Sequence, residues 1–531
     1  QPMVVNRYGD WIVDPYGTIQ NPAACPQQAW IQPSSNPINF TYGTNCVGQK
    51  TQTAGIQEAI NYVLNNGGGK VLIRPGTYKI QTSILVVGSN IEITGSGYST
   101  RLVLEPPNPD NNIIMFYVGA LYLNGQQVNS ITFENIKIRN MFIDGNSRNL
   151  TGLYTESNGA PVQIGIDLVW TKNVEISGIY FYDTAREAIW VPASTSGLGV
   201  YSHEDIFIHD NVFDHTGYGI TLEQSRHVVI ANNIVKNVVP YPSYWLSLNY
   251  LSLHSIAVVG NVLDAGGTTS QGIIEPAQIS DPQYVVIANN VIKGYGTGPS
   301  LFVGGGTYVV GNIISGSAMA YGGNASQPTV LEDNIFELSP AVALAVQGNY
   351  VTVKDNVFVN NNISNSGTYP DISFTANISQ GVYIIRNIFL DTQSTPTSYG
   401  IGALSNVTVS GVTFIGNKGN LGSRWNGGYF PQNFSNCVYI DNDFDYLVVA
   451  STPAVPSSGS ALTNPFNTSV RVYLYGGTVT QVQITKWYGT TYTVFSNSSG
   501  ASLPGIPVYL DPGDSITITY SSAPTWVWVP A

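Results

Sequence analysis

Acidic side chains are rare in this chain, yet several of them fall between residues 165 and 225. Charged residues make up only 10% of the 531 positions. Glycoside hydrolysis needs two carboxyl groups at a set separation, one as the proton donor and one as the nucleophile or base. We expect that pair to be among four residues of this stretch, namely Asp167, Asp183, Glu187 and Asp214.

Polar and aromatic residues beside these carboxyl groups could bind a substrate. An aromatic ring can stack on the apolar face of a sugar. The candidate binding residues are Arg186, Trp190, His215, Tyr218, Glu223 and Trp245. Arg186 could instead act as the base of a β-elimination, or simply pair with Asp183 or Glu187 at the surface. Asp183 and Asp214 could equally serve only to cap turns, as Asp often does after a strand.

The five histidines suggest a metal site at first, because all of them lie between residues 203 and 254. Their spacings place them on different faces of the strands, so we predict no metal site. We also predict no cofactor, with Ca²⁺ kept open for the case in which the chain is a lyase.

An internal repeat indicates the elements that position these residues. Eight stretches read apolar-x-apolar-x-x-Asn-x-apolar, from "IFIHDNVF" (206–213) to "VYIIRNIF" (382–389), with a basal period of 22 residues. The period-2 alternation favours strands over helices. The repeated asparagines are Asn211, Asn233, Asn261, Asn290, Asn312, Asn334, Asn356 and Asn387.

Such a repeat predicts the coils of a parallel β-helix, in which each residue stacks on its counterpart one coil later. A stacked Asn at a bend can hydrogen-bond both the backbone and the next Asn, so we interpret these asparagines as scaffold. Counterparts one coil apart lie about 4.8 Å apart along the stack. Asp183 and Asp214 are predicted to occupy matching positions in successive coils.

Three segments follow from these patterns. Residues 1–54 form an N-terminal arm, residues 55–447 the β-helix, and residues 448–531 a small β-sandwich of short alternating strands. The sandwich could cap the helix, bind a glycan or mediate oligomerisation, and capping is the favoured interpretation. A glycine cluster, "NNGGGK" (65–70), follows an amphipathic helix and precedes a strand. Because a phosphate-binding loop has the reverse order, we interpret the cluster as a hinge beneath a capping helix.

The stretch "TAGIQEAINYVLNNGGGKVLIRPGTYKI" (53–80) closely resembles the start of the pectate-lyase-like right-handed β-helix superfamily. That group includes polygalacturonase-type hydrolases, polysaccharide lyases, epimerases and viral tailspikes. The resemblance implies a polysaccharide substrate and a groove floored by the strand after the variable loop. In "GIDL", Ile166 and Leu168 point into the core, so Asp167 points outward. By the same count Trp190, Thr221 and Glu223 face outward. The polygalacturonase motifs D-D and G-H-G are absent.

Composition limits the partners and the compartment. With 20 basic residues, a net charge of -12 and no basic stripe, nucleic acid is not an expected partner. No apolar run is long enough to span a membrane, and the oligomeric state stays open. Cys25 and Cys46 are predicted to form a disulfide, with Cys437 a buried thiol. Starting at Gln1 indicates a secreted product whose signal peptide was removed, with a trimmed chain as the alternative.

We therefore expect a secreted, all-β protein: a right-handed parallel β-helix with an N-terminal capping helix and a C-terminal β-sandwich. The favoured function is a glycoside hydrolase. The alternatives are a polysaccharide lyase using Arg186 with a cation, and a non-catalytic tailspike-like or cell-surface structural or glycan-binding protein. Nine N-x-S/T sequons permit glycosylation. The sparse charge suggests a hot or acidic habitat.

Overall fold

The computed structural model describes four short N-terminal strands and residues 52–106, 113–150, 163–184, 186–195, 199–238, 245–248, 252–264, 274–275, 282–294, 299–449 and 451–531. It has two compact units, residues 1–319 and 320–531. The helices are α1 (Ile56–Asn65) and α2 (Ser147–Leu150).

The strands, in chain order, are β1 (Met3–Val5), β2 (Trp11–Val13), β3 (Ile31–Pro33), β4 (Phe40–Tyr42), β5 (Gly69–Ile73), β6 (Gly76–Ile80), β7 (Ile84–Val86), β8 (Ile91–Thr94), β9 (Thr100–Leu104), β10 (Ile113–Gly119), β11 (Tyr122–Leu123), β12 (Gln126–Gln127), β13 (Phe133–Asp144), β14 (Gln163–Val169), β15 (Thr171–Tyr182), β16 (Glu187–Val191), β17 (His203–His209), β18 (Val212–Asp214), β19 (Tyr218–Leu222), β20 (Ser225–Ala231), β21 (Ile234–Lys236), β22 (Leu246–Leu248), β23 (Leu253–Val259), β24 (Val262–Asp264), β25 (Ile274–Glu275), β26 (Pro282–Ala288), β27 (Val291–Lys293), β28 (Leu301–Val303), β29 (Thr307–Val310), β30 (Ile313–Ser315), β31 (Ala318–Tyr321), β32 (Thr329–Glu332), β33 (Ile335–Glu337), β34 (Leu344–Gln347), β35 (Val351–Lys354), β36 (Val357–Val359), β37 (Pro370–Phe374), β38 (Val382–Ile385), β39 (Ile388–Leu390), β40 (Tyr399–Ala403), β41 (Val409–Ser410), β42 (Val412–Ile415), β43 (Lys418–Gly419), β44 (Phe434–Ser435), β45 (Val438–Ile440), β46 (Ala461–Thr463), β47 (Val470–Thr485), β48 (Thr491–Leu510), β49 (Ser515–Ser522) and β50 (Thr525–Pro530).

In the first unit, parallel strands stack coil on coil as the repeat predicts. The register pairs Ile206 of β17 with Val228 of β20, one 22-residue period further along the chain. The short strand after each bend does the same, since β18 pairs with β21 and β21 with β24. A second parallel sheet runs in the order β25-β22-β19-β16-β14-β10-β7. The predicted parallel β-helix is confirmed.

In the second unit, the same arrangement continues for four coil-to-coil pairings. Strands β32, β35, β38, β42 and β45 pair in parallel, in that order. A second sheet pairs β34 with β37 and β37 with β40. Stacked rings fill the core between the sheets. The ring centre of Phe336 lies 4.8 Å from that of Phe358, which lies 5.0 Å from that of Phe389.

The repeated asparagines form buried ladders, one in each unit. The Asn211 side-chain amide donates to Asn233 Oδ1 at 3.1 Å, and the Asn211 backbone N–H donates to the same oxygen at 3.0 Å. Asn211 Nδ2 also reaches the carbonyl of Ile176. The ladder of the first unit continues through Asn261, Asn290 and Asn312. The ladder of the second unit runs through Asn334, Asn356, Asn387, Asn417 and Asn442. The scaffold role is confirmed.

Helix α1 and the glycine cluster form a structural joint at the start of the coils. The helix buries Ile56, Ala59, Ile60 and Val63, and it packs against β5, β7 and β8. The chain then passes Gly68, whose φ is +101°. A Cβ at that position would lie 2.3 Å from the carbonyl oxygen of Asn90, so only glycine fits. The predicted N-terminal helix is confirmed, and Gly68 makes the tight turn between it and β5.

The C-terminal strands β46 to β50 form an antiparallel module. Strand β47 pairs along its length with β48, and it also pairs with β50 through its first half and with β49 through its second half. The register shifts between Leu474 and Gln481 bend the sheet. The module has its own core of twelve buried residues. The predicted sandwich is supported in part, because these strands form one bent sheet. The predicted domain boundaries stay a prediction.

Two predictions concern the cysteines. Cys25 and Cys46 lie outside the described residues, so the predicted disulfide stays a prediction. Cys437 is a buried free thiol, as expected. Within the ranges that the structure describes, no helix has the length and apolar character needed to cross a membrane.

Candidate functional site

An outward-facing column of side chains crosses the second sheet of the first unit. The backbone register aligns Tyr117 with Asp167, Asp167 with Trp190, and Trp190 with Thr221. Neighbours in this column are therefore about 4.8 Å apart in backbone. Ile166 and Leu168 on the same strand are fully buried and Asp167 between them is 4% exposed, so the outward direction of Asp167 follows from strand alternation and stays a prediction.

Glu187 and Arg186 lie at the start of the next strand. Arg186 Nε is 2.9 Å from Glu187 Oε2. The guanidinium carbon lies 4.7 Å from the centre of the Trp190 ring, a cation–π contact that fixes the arginine against the column. The predicted Arg186–Glu187 pair is therefore present. This pair keeps the Arg186 guanidinium beside the carboxyl group of Glu187.

The electrostatics of this site centre on Asp167. Burial and, second to it, the negative charge of Glu187 raise the pKa of Asp167 to about 8, against a lowering effect of Arg186. Only 4% of Asp167 and 4% of Glu187 is exposed. At neutral pH Asp167 therefore carries a proton beside a second carboxyl group, which is the division of roles that an acid and a nucleophile or base require.

Glu223 is a third carboxyl group near the same arginine. Its Oε2 accepts a hydrogen bond from the backbone N–H of Ala193 at 2.7 Å. Burial raises the pKa of Glu223, against the lowering effects of that hydrogen bond and of Arg186. Arg186 thus acts on three carboxyl groups, those of Asp167, Glu187 and Glu223.

Tyr117 belongs to the site but is not among the candidates predicted from the sequence. Burial raises the pKa of its hydroxyl, and the charge of Asp167 contributes. The alternation of "IIMFYVG" (113–119) places Tyr117 on the outward face, and this signal could have identified it. The preceding coil was less regular, so its register against Asp167 was not evident from the sequence.

Asp183 and Asp214 do not occupy matching positions, and that prediction is wrong by one residue. The register pairs Tyr182 with Asp214. Asp183 adopts a φ of +56° and His215 a φ of +54°, which is the left-handed conformation of a turn. Asp183 Oδ1 also accepts from Arg148 Nε at 3.0 Å. These contacts agree with a turn role for Asp183.

Asp214 belongs to a separate cluster at the bend between the sheets. Its carboxylate accepts from Tyr180 Oη at 2.6 Å and from Asn237 Nδ2 at 3.0 Å, and it lies 2.6 Å from Nδ1 of His215. Burial acts to raise the pKa of Asp214, but these hydrogen bonds outweigh it and the pKa is lowered. His215 is partly exposed, and its ring lies edge-on to Tyr182 at 5.7 Å.

The two remaining candidates differ in exposure. Tyr218 is half-buried and aligned with Glu187 in the register. Trp245 is only 2% exposed. It covers Gly219, where a Cβ would lie 2.4 Å from Trp245 Cδ1, and its ring meets Phe213 at 6.4 Å. Trp245 therefore packs in the core in this structure.

A metal site needs several His, Cys, Asp or Glu side chains close together. Among the residues that the structure describes, no group of three or more His, Cys, Asp and Glu side chains is arranged to hold a metal ion. His209, for example, lies 2.9 Å from Glu175 and also contacts Asp210. The prediction about cofactors is not tested by this observation.

Comparison with known proteins agrees with the coil geometry. The family described as right-handed beta helix region matches residues 110–275. A tailspike protein mutant of the E. coli bacteriophage HK620 has a TM-score of 0.50, with 13% identity over 98% of this chain and 91% of that chain. The fold is a right-handed parallel β-helix.

Two further solved structures have lower TM-scores. Another mutant of the HK620 tailspike, in complex with a pentasaccharide, has a TM-score of 0.49 and 14% identity, covering 98% of this chain and 92% of that one. The A-module of the mannuronan C-5 epimerase AlgE6 from Azotobacter vinelandii has a TM-score of 0.46 and 15% identity, covering 72% and 94%. No curated protein matches the sequence.

Proposed function

We propose that the protein is a glycoside hydrolase acting on a polysaccharide, with Asp167 as the proton donor. The observation that carries this proposal is the position of Asp167, buried beside Glu187 and Arg186 in the outward column, with a pKa raised to about 8. A carboxyl group that keeps its proton at neutral pH can deliver it to the glycosidic oxygen as the bond breaks.

Glu187 supplies the second carboxyl group in this mechanism. Its contact with the Arg186 guanidinium favours the ionised form, because an opposite charge at 2.9 Å stabilises a carboxylate. The carboxylate either attacks the anomeric carbon or activates a water molecule. Trp190 holds Arg186 from one side, so the arginine can also pair with a carboxylate of the sugar chain.

The test follows hydrolysis and elimination together on a panel of polysaccharides. New reducing ends without ultraviolet-absorbing unsaturated products support hydrolysis, and a rise in that absorbance supports the lyase alternative with Arg186 as base. The anomer released first, read by proton NMR, assigns Glu187 as nucleophile or as base.

Two substitutions locate the chemistry. Asp167→Asn and Glu187→Gln should each lower kcat/KM by about 10²–10⁴-fold, the usual contribution of a positioned acid or base. Asp210→Asn is the matched control, because this carboxylate is exposed on a neighbouring coil. In the unsubstituted protein kcat/KM should fall above about pH 8 as Asp167 loses its proton. Full activity in both variants would remove the site.

A non-catalytic protein of the tailspike or cell-surface type is the second candidate. The burial of Asp167 and Glu187, each 4% exposed, favours it, because a substrate must reach a catalytic carboxyl group. If no polysaccharide of the panel yields reducing ends or unsaturated products, and one of them still binds, the result would support this function.

A further inference from the structure

The C-terminal module presents an outward face of aromatic and aliphatic side chains around one arginine. On β47, Val470, Val472 and Leu474 are fully buried, so the residues between them face outward. The register sets Arg471 beside Tyr509 of β48 and Val529 of β50. The face consists of Arg471, Tyr473, Tyr475, Pro504, Pro507, Tyr509, Thr525, Val527 and Val529.

Arg471 lies flat on this face. Its guanidinium carbon is 5.1 Å from the centre of the Tyr509 ring, and its Nη1 is 3.2 Å from the hydroxyl of Tyr473. Its Nε is buried and out of reach of a ligand. A ligand can therefore be bound only through the Nη groups, in an orientation fixed by two tyrosines.

The aromatic part of the face is open to solvent. Tyr475 is 45% exposed, Tyr509 56% and Val527 45%. A Cβ on Gly505 would lie 2.7 Å from the Tyr475 ring, so this glycine lets the ring lie close to the backbone of β48. Three strands and five residues along each give a surface of about 10 Å by 14 Å, which suits a short oligosaccharide.

The charge of this face selects the ligand. Arg471 is its one charged residue, in a chain with a net charge of -12. Among the described residues no carboxylate lies within ion-pair distance of Arg471; the nearby module ion pairs are those of Lys486 with Asp511 and Asp514. A cation without an acidic partner, surrounded by ring faces, complements a ligand that is both anionic and flat.

We propose that this face binds an acidic oligosaccharide, a chain of pyranose rings that carry carboxylates. The rings stack on Tyr475 and Tyr509, and one carboxylate accepts two hydrogen bonds from Arg471. The face contains no carboxyl group that could act as an acid or base, so it binds without reacting. The proposal rests on the proposed polysaccharide function only in its choice of a sugar ligand.

The experiment uses the full chain with Asp167→Asn and Glu187→Gln, so that the probe is not consumed. The probe is hexagalacturonate carrying a photoreactive diazirine, and the labelled peptides are located by mass spectrometry. We expect labelling in the peptides of β47, β48 and β50. Labelling only in the first unit would overturn the proposal while leaving the proposed catalytic site intact.

Variants separate the face from other exposed aromatics of the module. Arg471→Gln should reduce labelling of these peptides at least about tenfold, as expected for a charge-assisted hydrogen bond, and Tyr509→Ala about two- to tenfold, as expected for a stacked ring. Trp487→Ala is the matched control, because Trp487 is 70% exposed on the β47–β48 turn and outside the face. An equal loss in the control, or none in the other two, contradicts the proposal.

Competition tests the chemistry of the ligand. Unlabelled hexagalacturonate should compete, while the neutral galactose hexamer should compete at least about tenfold less well, because it lacks the group that Arg471 binds. Poly-glutamate of the same charge should also compete poorly, because it has no ring to stack. Equal competition by either control would overturn the proposed acidic sugar. Unchanged melting temperatures show that the variants are folded.

Discussion

Removal of one asparagine from the middle of the second ladder should have a large effect on stability. Asn356 Oδ1 accepts from the backbone N–H of Asn334 at 2.9 Å and from its side chain at 3.0 Å. Its Nδ2 donates to the carbonyl of Leu331 at 3.0 Å and to Asn387 Oδ1 at 3.1 Å. Asn356→Ala deletes all four bonds from a fully buried site.

The magnitude follows from the groups that lose their partners. The Asn334 N–H and the Leu331 carbonyl are the two buried backbone groups affected, whereas Asn387 Oδ1 still accepts from the backbone N–H of residue 356 at 3.0 Å. Each such loss costs about 1–3 kcal/mol. The free energy of unfolding should therefore fall by about 2–6 kcal/mol.

Two readouts and one control measure this effect. Guanidinium unfolding followed by near-ultraviolet circular dichroism gives the free energy, and hydrogen exchange of the Asn334 amide should accelerate at least about 30-fold. Thr352→Val is the control, because Thr352 lies on the outward face of the same region and should change stability by no more than about 0.5 kcal/mol.

A second substitution tests the reasoning itself. Asn356→Asp keeps the shape but loses both amide donors, so it should destabilise the protein at neutral pH and less so in acid, where the protonated carboxyl donates again. If the free energies of unfolding of Asn356→Ala and Thr352→Val differ by no more than about 0.5 kcal/mol, the ladder contributes no net stability and the reasoning fails.

Three further outcomes are expected. Asp371 is fully buried, and burial raises its pKa well above the usual value. Asp371→Asn should therefore have the same free energy of unfolding as the unsubstituted protein at pH 3. At neutral pH it should be the more stable of the two, by about 1.4 kcal/mol for each pH unit above the usual pKa until the folded pKa is reached. A constant difference across that range would contradict this. Gly219→Ala should cost about 1–3 kcal/mol in denaturant unfolding because its Cβ would strike Trp245. Burial raises the pKa of the Cys437 thiol, so a thiol reagent should label it only after denaturant is added.

Much of the fold could be predicted because each coil repeats the same constraint. Eight ladder positions follow from Asn at a fixed distance from inward apolar residues. Asn417 was missed because Gly419 replaces the apolar residue after it, and Asn442 because its inward neighbours are Cys437 and Tyr439. At both positions the Asn and its ladder hydrogen bonds are kept while the apolar residues around it change.

The candidate site could be predicted only where strand alternation decides the outcome. Alternation places Asp167 outward, but its burial depends on neighbouring coils and is not encoded in its own strand. The register of Asp183 does not follow from its sharing a residue type with Asp214. The buried Thr184 and Thr216 would have aligned "DT" with "HT" and given the observed match of Tyr182 with Asp214.

The second ladder also has a direction. Each side-chain amide from Asn334 to Asn417 donates one hydrogen bond to the side-chain oxygen of the next Asn, in the coil that follows. At the C-terminal end Asp445 accepts the backbone N–H of Asn442 at 3.1 Å and its Nδ2 at 3.2 Å. Because a carboxylate accepts without donating, Asp445 closes the row. The polarity of the coils is thus recorded in hydrogen-bond direction as well as in chain order.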